Sequence, residues 1–157
     1  MKLSELLTED RVGVLRRSAG GVLDKSSVLR QVAALLAHGT TVETSDILHV
    51  LLEREALQST GIGEGVAIPH GFPADLEQQV AAVLTIPEGI EFDSIDGSKV
   101  QLVVAVVGPK RATGEHLKTL ARVSRILRSK AFRARLLEAR TSKEVYELLL
   151  GEDAERP

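Results

Sequence analysis

The sequence predicts an α/β fold: a three-layer sandwich in which a central mixed β-sheet carries helices on both faces. Three observations lead there. Apolar residues recur at helical spacing toward both ends of the chain, short β-branched apolar runs occupy its middle, and turn residues separate the two kinds of segment. With 157 residues and 43 % hydrophobic content, the chain buries one sizeable core without staples. A single domain over residues 1–150 is expected, followed by a polar tail at 151–157, "GEDAERP", that frays.

Near the N-terminus, "KSSVLRQVAALLAHGT" places apolar residues at 28, 32, 35 and 36, the spacing of one helix face, and Gly39 stops the helix. His38 reads as a helix-end residue, where a cation is mildly favoured. A second helix, "TSDILHVLLEREALQ", opens on a Thr/Ser cap candidate and puts Ile47, Leu48, Leu51 and Leu52 on one side. His49, flanked by Leu48 and Val50, is assigned to packing. "VAIP" is a short strand that ends at Pro69 or lies at an edge, because proline cannot donate to a ladder.

"QVAAVLTI" and "VQLVVAVVG" follow as strands. The second runs from Leu102 to Val107 without a polar break, as a central strand covered on both faces does. Between them, "DSIDGSK" holds an Asp96-Gly97 turn. From Thr113 the chain is helical again. "TGEHLKTLARVSRILRS" aligns Leu117, Leu120, Ser124 and Leu127, and "KAFRARLLEAR" and "SKEVYELLL" form two shorter helices.

Composition removes several classes of function. No cysteine is present, so disulfides, thiolate nucleophiles and cysteine-based metal sites are excluded, which fits a reducing, cytoplasmic compartment. "MKLSELLTEDR" is not a secretory signal, because acidic residues interrupt its short apolar run, and no apolar run is long enough to insert in a membrane. A net charge of −2 argues against general nucleic-acid binding.

"STGIGEGVAIPHG", Ser59 to Gly71, crowds four glycines around the single Pro69-His70 pair. Glycine and proline together mark backbone that turns sharply or approaches something closely. His70 lies just past a short strand, where α/β folds present ligand crevices. His116 lies in the first turn of a helix, about three residues after the cap candidate Thr113. There the helix dipole disfavours a charged imidazole and favours an incoming anion. Arg54, near the end of the helix leading into the glycines, offers a charged fork for phosphate oxygens. Amides from Gly61 to Gly65 offer further donors. If the fold brings these together, they suffice for a phosphate resting on His70.

Each residue also has a plainer reading: His70 as structural, His116 as a polar helix start, Arg54 as part of a solvated face. Other chemistries lack their parts. Gly61-x-Gly63-x-Gly65 follows a helix rather than a strand and has no Walker lysine. Zinc would need a third ligand, no cofactor motif is present, and no nucleophile elbow exists. The run Lys118, Arg122, Arg125, Arg128 reads as a solvated helix face, with an acidic partner the less favoured alternative.

At "LEREALQSTGIGEGVAIPHG" the chain resembles enzyme IIA of the bacterial phosphoenolpyruvate-dependent phosphotransferase system, in the fructose/mannitol superfamily and nearest its nitrogen-related regulatory class. Arg54-Glu55, Ser59 to Gly63, Val66 to Ile68 and Pro69-His70 match the pattern in order and spacing. "FDSIDGSKVQLVVAVVGP" and "ATGEHLKTLARVSRILRS" match a second block. The resemblance implies His70 as phosphoacceptor, His116 as the second active-site histidine and Arg54 as the arginine beside the phosphate. Two departures stand out: "GPKRA" replaces the usual apolar-Pro-Glu segment, and the basic run is heavier.

The expected function is therefore a phosphoryl carrier and regulator. It accepts phosphate from an HPr-like phosphocarrier, and its phosphorylation state tunes a regulated transporter or sensor kinase. The absence of a permease segment on this chain favours regulation. The alternatives are a sugar-transport component that passes phosphate to a separate IIB component and, last, a metal-dependent hydrolase using both histidines.

Overall fold

Strand β6 (Val100–Val107), which contains the unbroken apolar run Leu102–Val107, is the middle of the sheet, and its neighbours set the position of everything else. The computed structural model describes residues 2–16 and 23–155. Its elements in chain order begin with β1 (Val12–Val14), α1 (Lys25–Ala37) and α2 (Thr44–Leu57), followed by β2 (Gly61–Gly63), β3 (Val66–Ala67) and β4 (His70–Gly71). Next come β5 (Val80–Ile90), β6, α3 (Thr113–Ile126), α4 (Lys130–Glu138) and α5 (Ser142–Ala154). The sheet order is β1-β5-β6-β3-β2, with β4 also paired to β6. β5 runs antiparallel to β6, whereas β3 and β4 run parallel to it, so the sheet is mixed as expected.

Alternation along β5 and β6 divides the core in two. Ala82, Leu84, Val103 and Ala105 meet Val28, Val32, Leu36, Ile47 and Leu51 of α1 and α2. Ala81, Val83, Val104 and Val106 meet Val123, Ile126, Phe132, Leu136 and Val145 of α3, α4 and α5. Both faces are covered, which is why Leu102–Val107 of β6 carries no polar break.

Several expectations need correction. β1 and β2 were not foreseen, because "VGV" and "GIG" are too short and glycine-rich to read as strands. The strand before Pro69 does not simply end there. Ile68 and Pro69 interrupt the ladder, and β4 resumes beside β6 in the register His70↔Val106. β5 is longer than its apolar run and carries Pro87 and Gly89 within a register shift between Thr85 and Ile90.

The helices differ in detail too. α1 does stop at Gly39, at φ 79°, and its Asp24 N-cap forms a capping box with Ser27. α2 starts from Glu43 without a side-chain cap, and α3 starts from Ala112, so Thr113 is not the cap. Its hydroxyl donates instead to the carbonyl of Lys110. The buried stripe of α3 is His116, Thr119, Val123 and Ile126, not the leucine row, and Leu117 is 60 % exposed. Likewise Leu52 is exposed, while Glu55 completes the buried stripe of α2. His49 is not packed; it is exposed and pairs with Glu53 at 2.8 Å. Residues 151–154 do not fray: they form the last turn of α5. Asp153 there is buried, accepts the N–H of Leu3 at 2.8 Å and pairs with Arg122, which is therefore not a solvated residue. Among the described residues no helix is long and apolar enough to cross a membrane.

Candidate functional site

His70 is fixed by its own backbone neighbourhood. β4 pairs with β6 on one side, and Gly71 packs directly against α2, where a Cβ would come within 2.4 Å of Val50 Cγ1. That close approach gives Gly71 its reason. The imidazole Nδ1 lies 2.8 Å from the carbonyl oxygen of Ile68. A carbonyl can only accept, so Nδ1 carries the hydrogen and Nε2 keeps its lone pair. Arg54 donates its Nε–H to that Nε2 at 3.3 Å and its Nη1 to the carbonyl of Gln58 at 2.8 Å, at the C-terminal end of α2. Both neighbours thus select the same tautomer.

His116 is the fourth residue of α3, only 2 % exposed, with its ring centroid 5.8 Å from that of His70 and 4.6 Å from that of Phe72. Neither ring nitrogen has a hydrogen-bond partner among the described residues. Burial first, and the neighbouring His70 second, lower its pKa to about 4. The imidazole is neutral at pH 7, as the sequence predicts, but burial rather than the helix dipole is the main cause.

The three residues singled out in the sequence, His70, His116 and Arg54, therefore converge. His70 and Arg54 open onto a cavity of about 320 Å³. Its other walls include Ser59, Gly61, Ile62, Ile95, Leu120 and Ser124.

The glycine amides do not form the expected anion cradle. The N–H of Gly61 goes to Ser59 Oγ at 3.0 Å, that of Glu64 to Asp96 at 2.9 Å and that of Gly65 to Ser98 Oγ at 3.3 Å. The glycines serve shape instead. A Cβ on Gly61 would fall 2.5 Å from Ser94 Oγ, and Gly63 adopts φ 99°. Asp96, in the foreseen turn, also accepts from the hydroxyl and N–H of Ser98, and these bonds hold its pKa down at about 2.

Sequence reasoning gave no role to Glu55, which latches the cavity wall. Its buried carboxylate accepts the N–H of Thr60 at 2.9 Å and its hydroxyl at 2.6 Å, and Lys25 Nζ lies 3.0 Å away. Ser59 donates its hydroxyl to the carbonyl of Phe92 at 2.7 Å. The signal for Glu55 was its place in the Arg54-Glu55 pair of the family pattern. Phe72, against His116, had none. Among the described residues no cluster of three or more His, Asp or Glu side chains is placed to hold a metal. A tautomer-fixed imidazole with an unprotonated nitrogen, an arginine donating to it and a neutral second histidine can receive an electrophile and stabilise anionic oxygens.

Comparisons with known proteins agree with this chemistry. Residues 13–151 match the family model described as "Phosphoenolpyruvate-dependent sugar phosphotransferase system, EIIA 2". The nitrogen regulatory protein of Bradyrhizobium diazoefficiens is 37 % identical over 128 residues, covering 82 % of this chain and 84 % of that one. The crystal structure of nitrogen regulatory protein IIA-Ntr from Neisseria meningitidis superposes with a TM-score of 0.83 at 33 % identity, over 92 % of this chain and 97 % of that one. A complex of enzyme IIA mannitol with phosphorylated enzyme IIB mannitol from Escherichia coli also matches, with a TM-score of 0.74 at 25 % identity over 93 % and 97 % of the two chains. Fold and sequence point the same way: the chain belongs to the EIIA type 2 family of the phosphoenolpyruvate-dependent sugar phosphotransferase system, a family of phosphoryl carriers and regulators.

Proposed function

We propose that Nε2 of His70 accepts a phosphoryl group from a phosphohistidine on an HPr-like carrier, and that the phosphorylation state of His70 controls the binding of partner proteins in the cytoplasm. The observation that carries this reading is the contact of His70 Nδ1 with the Ile68 carbonyl, 2.8 Å, which leaves Nε2 as the nucleophile facing the cavity. In the transfer the donor's N–P bond breaks and its electron pair returns to the donor imidazole. The lone pair of Nε2 forms the new N–P bond, and the hydrogen stays on Nδ1, still donated to the Ile68 carbonyl. Arg54 turns from the lone pair to the phosphoryl oxygens, and a phosphoryl oxygen supplies the acceptor that the buried His116 ring lacks. The phosphorylated residue then adds about −1.5 to −2 charges to the cavity mouth, enough to change what docks there.

The likeness to nitrogen regulatory proteins supports control of a transporter or sensor kinase. A second reading, passage of the phosphoryl group to a IIB component of a sugar system, is supported by the mannitol IIA–IIB relative. Phosphotransfer from the phosphorylated carrier, followed by mass mapping of the modified residue, tests the acceptor. Label is expected on His70 alone and lost in His70→Ala; a variant that still accepts phosphate as wild type does refutes the assignment. Pull-downs with phosphorylated and unphosphorylated protein then test control, and transfer to an added IIB component tests relay.

A further inference from the structure

Between Lys118 and Lys143 the chain carries nine basic side chains and a single acidic one, Glu138, although the whole chain holds 20 basic and 22 acidic residues. Positive charge is concentrated on α3, α4 and the start of α5, and the rest of the molecule is acidic. Arg122 and Arg133 are used within the fold, paired with Asp153 and Glu64. Lys118, Arg125, Arg128, Lys130, Arg135 and Arg140 are exposed, and among the described residues none of the six is ion-paired to a carboxylate.

This basic surface begins at the mouth of the His70 cavity. Ile62 and Ser124 line that cavity and also an adjoining groove walled by Arg128 and Arg133. Around the mouth, Ile62 is 46 % exposed, Ile95 70 % and Leu117, one turn before Leu120, 60 %. The combination is an apolar centre with a predominantly basic flank, in which Glu64 is paired with Arg133.

We propose that the protein docking over His70 as phosphoryl donor presents an apolar centre and an acidic rim, the rim lying on α3 and α4. The inference rests on the phosphoryl-carrier reading above and adds to it the surface chemistry of the donor. Apolar contact over Ile62, Ile95 and Leu117 removes water from the transfer site. Unpaired surface cations beside it steer an acidic partner and repel a basic one, which acts on association more than on lifetime. The donor's own phosphoryl group is drawn by the same field. A nucleic acid is the weaker fit, because among the described residues the lining of the mouth carries no Phe, Tyr or Trp on which a base would stack.

The test is the second-order rate of phosphotransfer from a phosphorylated HPr-type carrier as ionic strength is varied. At roughly 50 mM salt, Arg128→Glu and Arg125→Glu are each expected to slow transfer about three- to tenfold, and the difference from wild type to shrink toward 1 M salt, where the Debye length is about 3 Å. Arg30→Glu makes the same charge change on α1, in the opposite layer, and is expected to stay within about twofold of wild type. Unchanged or faster transfer in Arg125→Glu and Arg128→Glu overturns the proposal, as does displacement of the carrier by a DNA or RNA oligonucleotide. Calorimetry with the unphosphorylated carrier separates the two claims. Binding weakened by Arg128→Glu with no phosphotransfer to wild type keeps the docking face and removes the carrier reading; transfer without any charge dependence does the reverse.

Discussion

Arg54 and His70 meet through the lone pair that defines the site: the arginine Nε–H donates to His70 Nε2 at 3.3 Å. The guanidinium thus holds the position that an incoming phosphorus atom must take, and it is tethered by a second bond to the carbonyl of Gln58. It has only to pivot about that tether to reach the phosphoryl oxygens. Arg54→Ala removes a charged donor from the developing negative charge and is expected to slow phosphotransfer by about 10²-fold. Arg54→Lys keeps the charge but loses the fork and is expected to recover only part of that. Rapid-quench kinetics with a phosphorylated carrier measures both, and a lysine variant equal to wild type would show that charge alone matters.

His116 gives the site a pH signature. Folded, it titrates at about 4 against an ordinary 6.5, because burial and the adjacent His70 oppose its charge. Between those two values the unfolded chain takes up the extra proton, so stability is complete above pH 6.5 and falls as the pH drops toward 4. Over that span the loss is about 3 kcal/mol. His116→Gln should flatten this part of the profile in urea titrations at pH 7 and 4.5. A variant with the same acid sensitivity as wild type contradicts it. Phosphate on His70 adds negative charge beside the ring and should raise the His116 pKa, which NMR titration of the ring reads directly.

The fold was legible where side-chain chemistry and local period agreed. β6 shows itself because burial on both faces demands an uninterrupted Leu102–Val107 run. The convergence of His70, His116 and Arg54 was legible only through the family resemblance and the glycine cluster, since no local pattern fixes what a parallel crossover brings together. Failures have a common cause. The sheet-facing stripe of α3 contains His116 and Thr119 while Leu117 faces outward, so apolar counting puts the stripe one residue out of place. Glu55 and Asp153 are buried because each accepts a backbone N–H that the fold brings to it, Thr60 for Glu55 and the sequence-distant Leu3 for Asp153, which composition does not show. β1 and β2, three residues each, are strands only because partners already exist for them.

Glu55 links the stability of the fold to the shape of the site. Glu55→Ala strips two hydrogen bonds from Thr60 and the nearer of two anionic partners from Lys25, a loss of about 2–3 kcal/mol. Glu55→Gln keeps one acceptor oxygen and should cost less. Because Thr60 sits between Ser59 and Gly61 in the cavity wall, both variants should also slow phosphotransfer under conditions where the protein remains folded. Chemical denaturation and single-turnover transfer on the same samples measure the two effects, and transfer at the wild-type rate in Glu55→Ala would confine its role to stability.

Gly71 is where the backbone beside His70 presses on α2. A Cβ there meets Val50 Cγ1 at 2.4 Å, while Val50 Cβ lies 3.8 Å away and Val50 O 3.9 Å away, both ordinary contact distances. Gly71→Ala therefore has no room unless the Val50 side chain leaves its rotamer or α2 or β4 shifts, an overpacking cost of about 1–3 kcal/mol. The shift matters because α2 carries Arg54 and β4 carries His70, so their 3.3 Å contact lies across the seam being forced apart. Transfer should slow about tenfold or more, following the sensitivity of such reactions to misplacement. Val50→Ala removes the offending methyl and leaves Val50's Cβ position at its tolerable distance. The Gly71→Ala/Val50→Ala pair should then recover both stability and rate relative to Gly71→Ala alone, giving a favourable interaction term in a double-mutant cycle. Additive losses would mean that the strain lies in the β4 backbone itself rather than in the contact with α2.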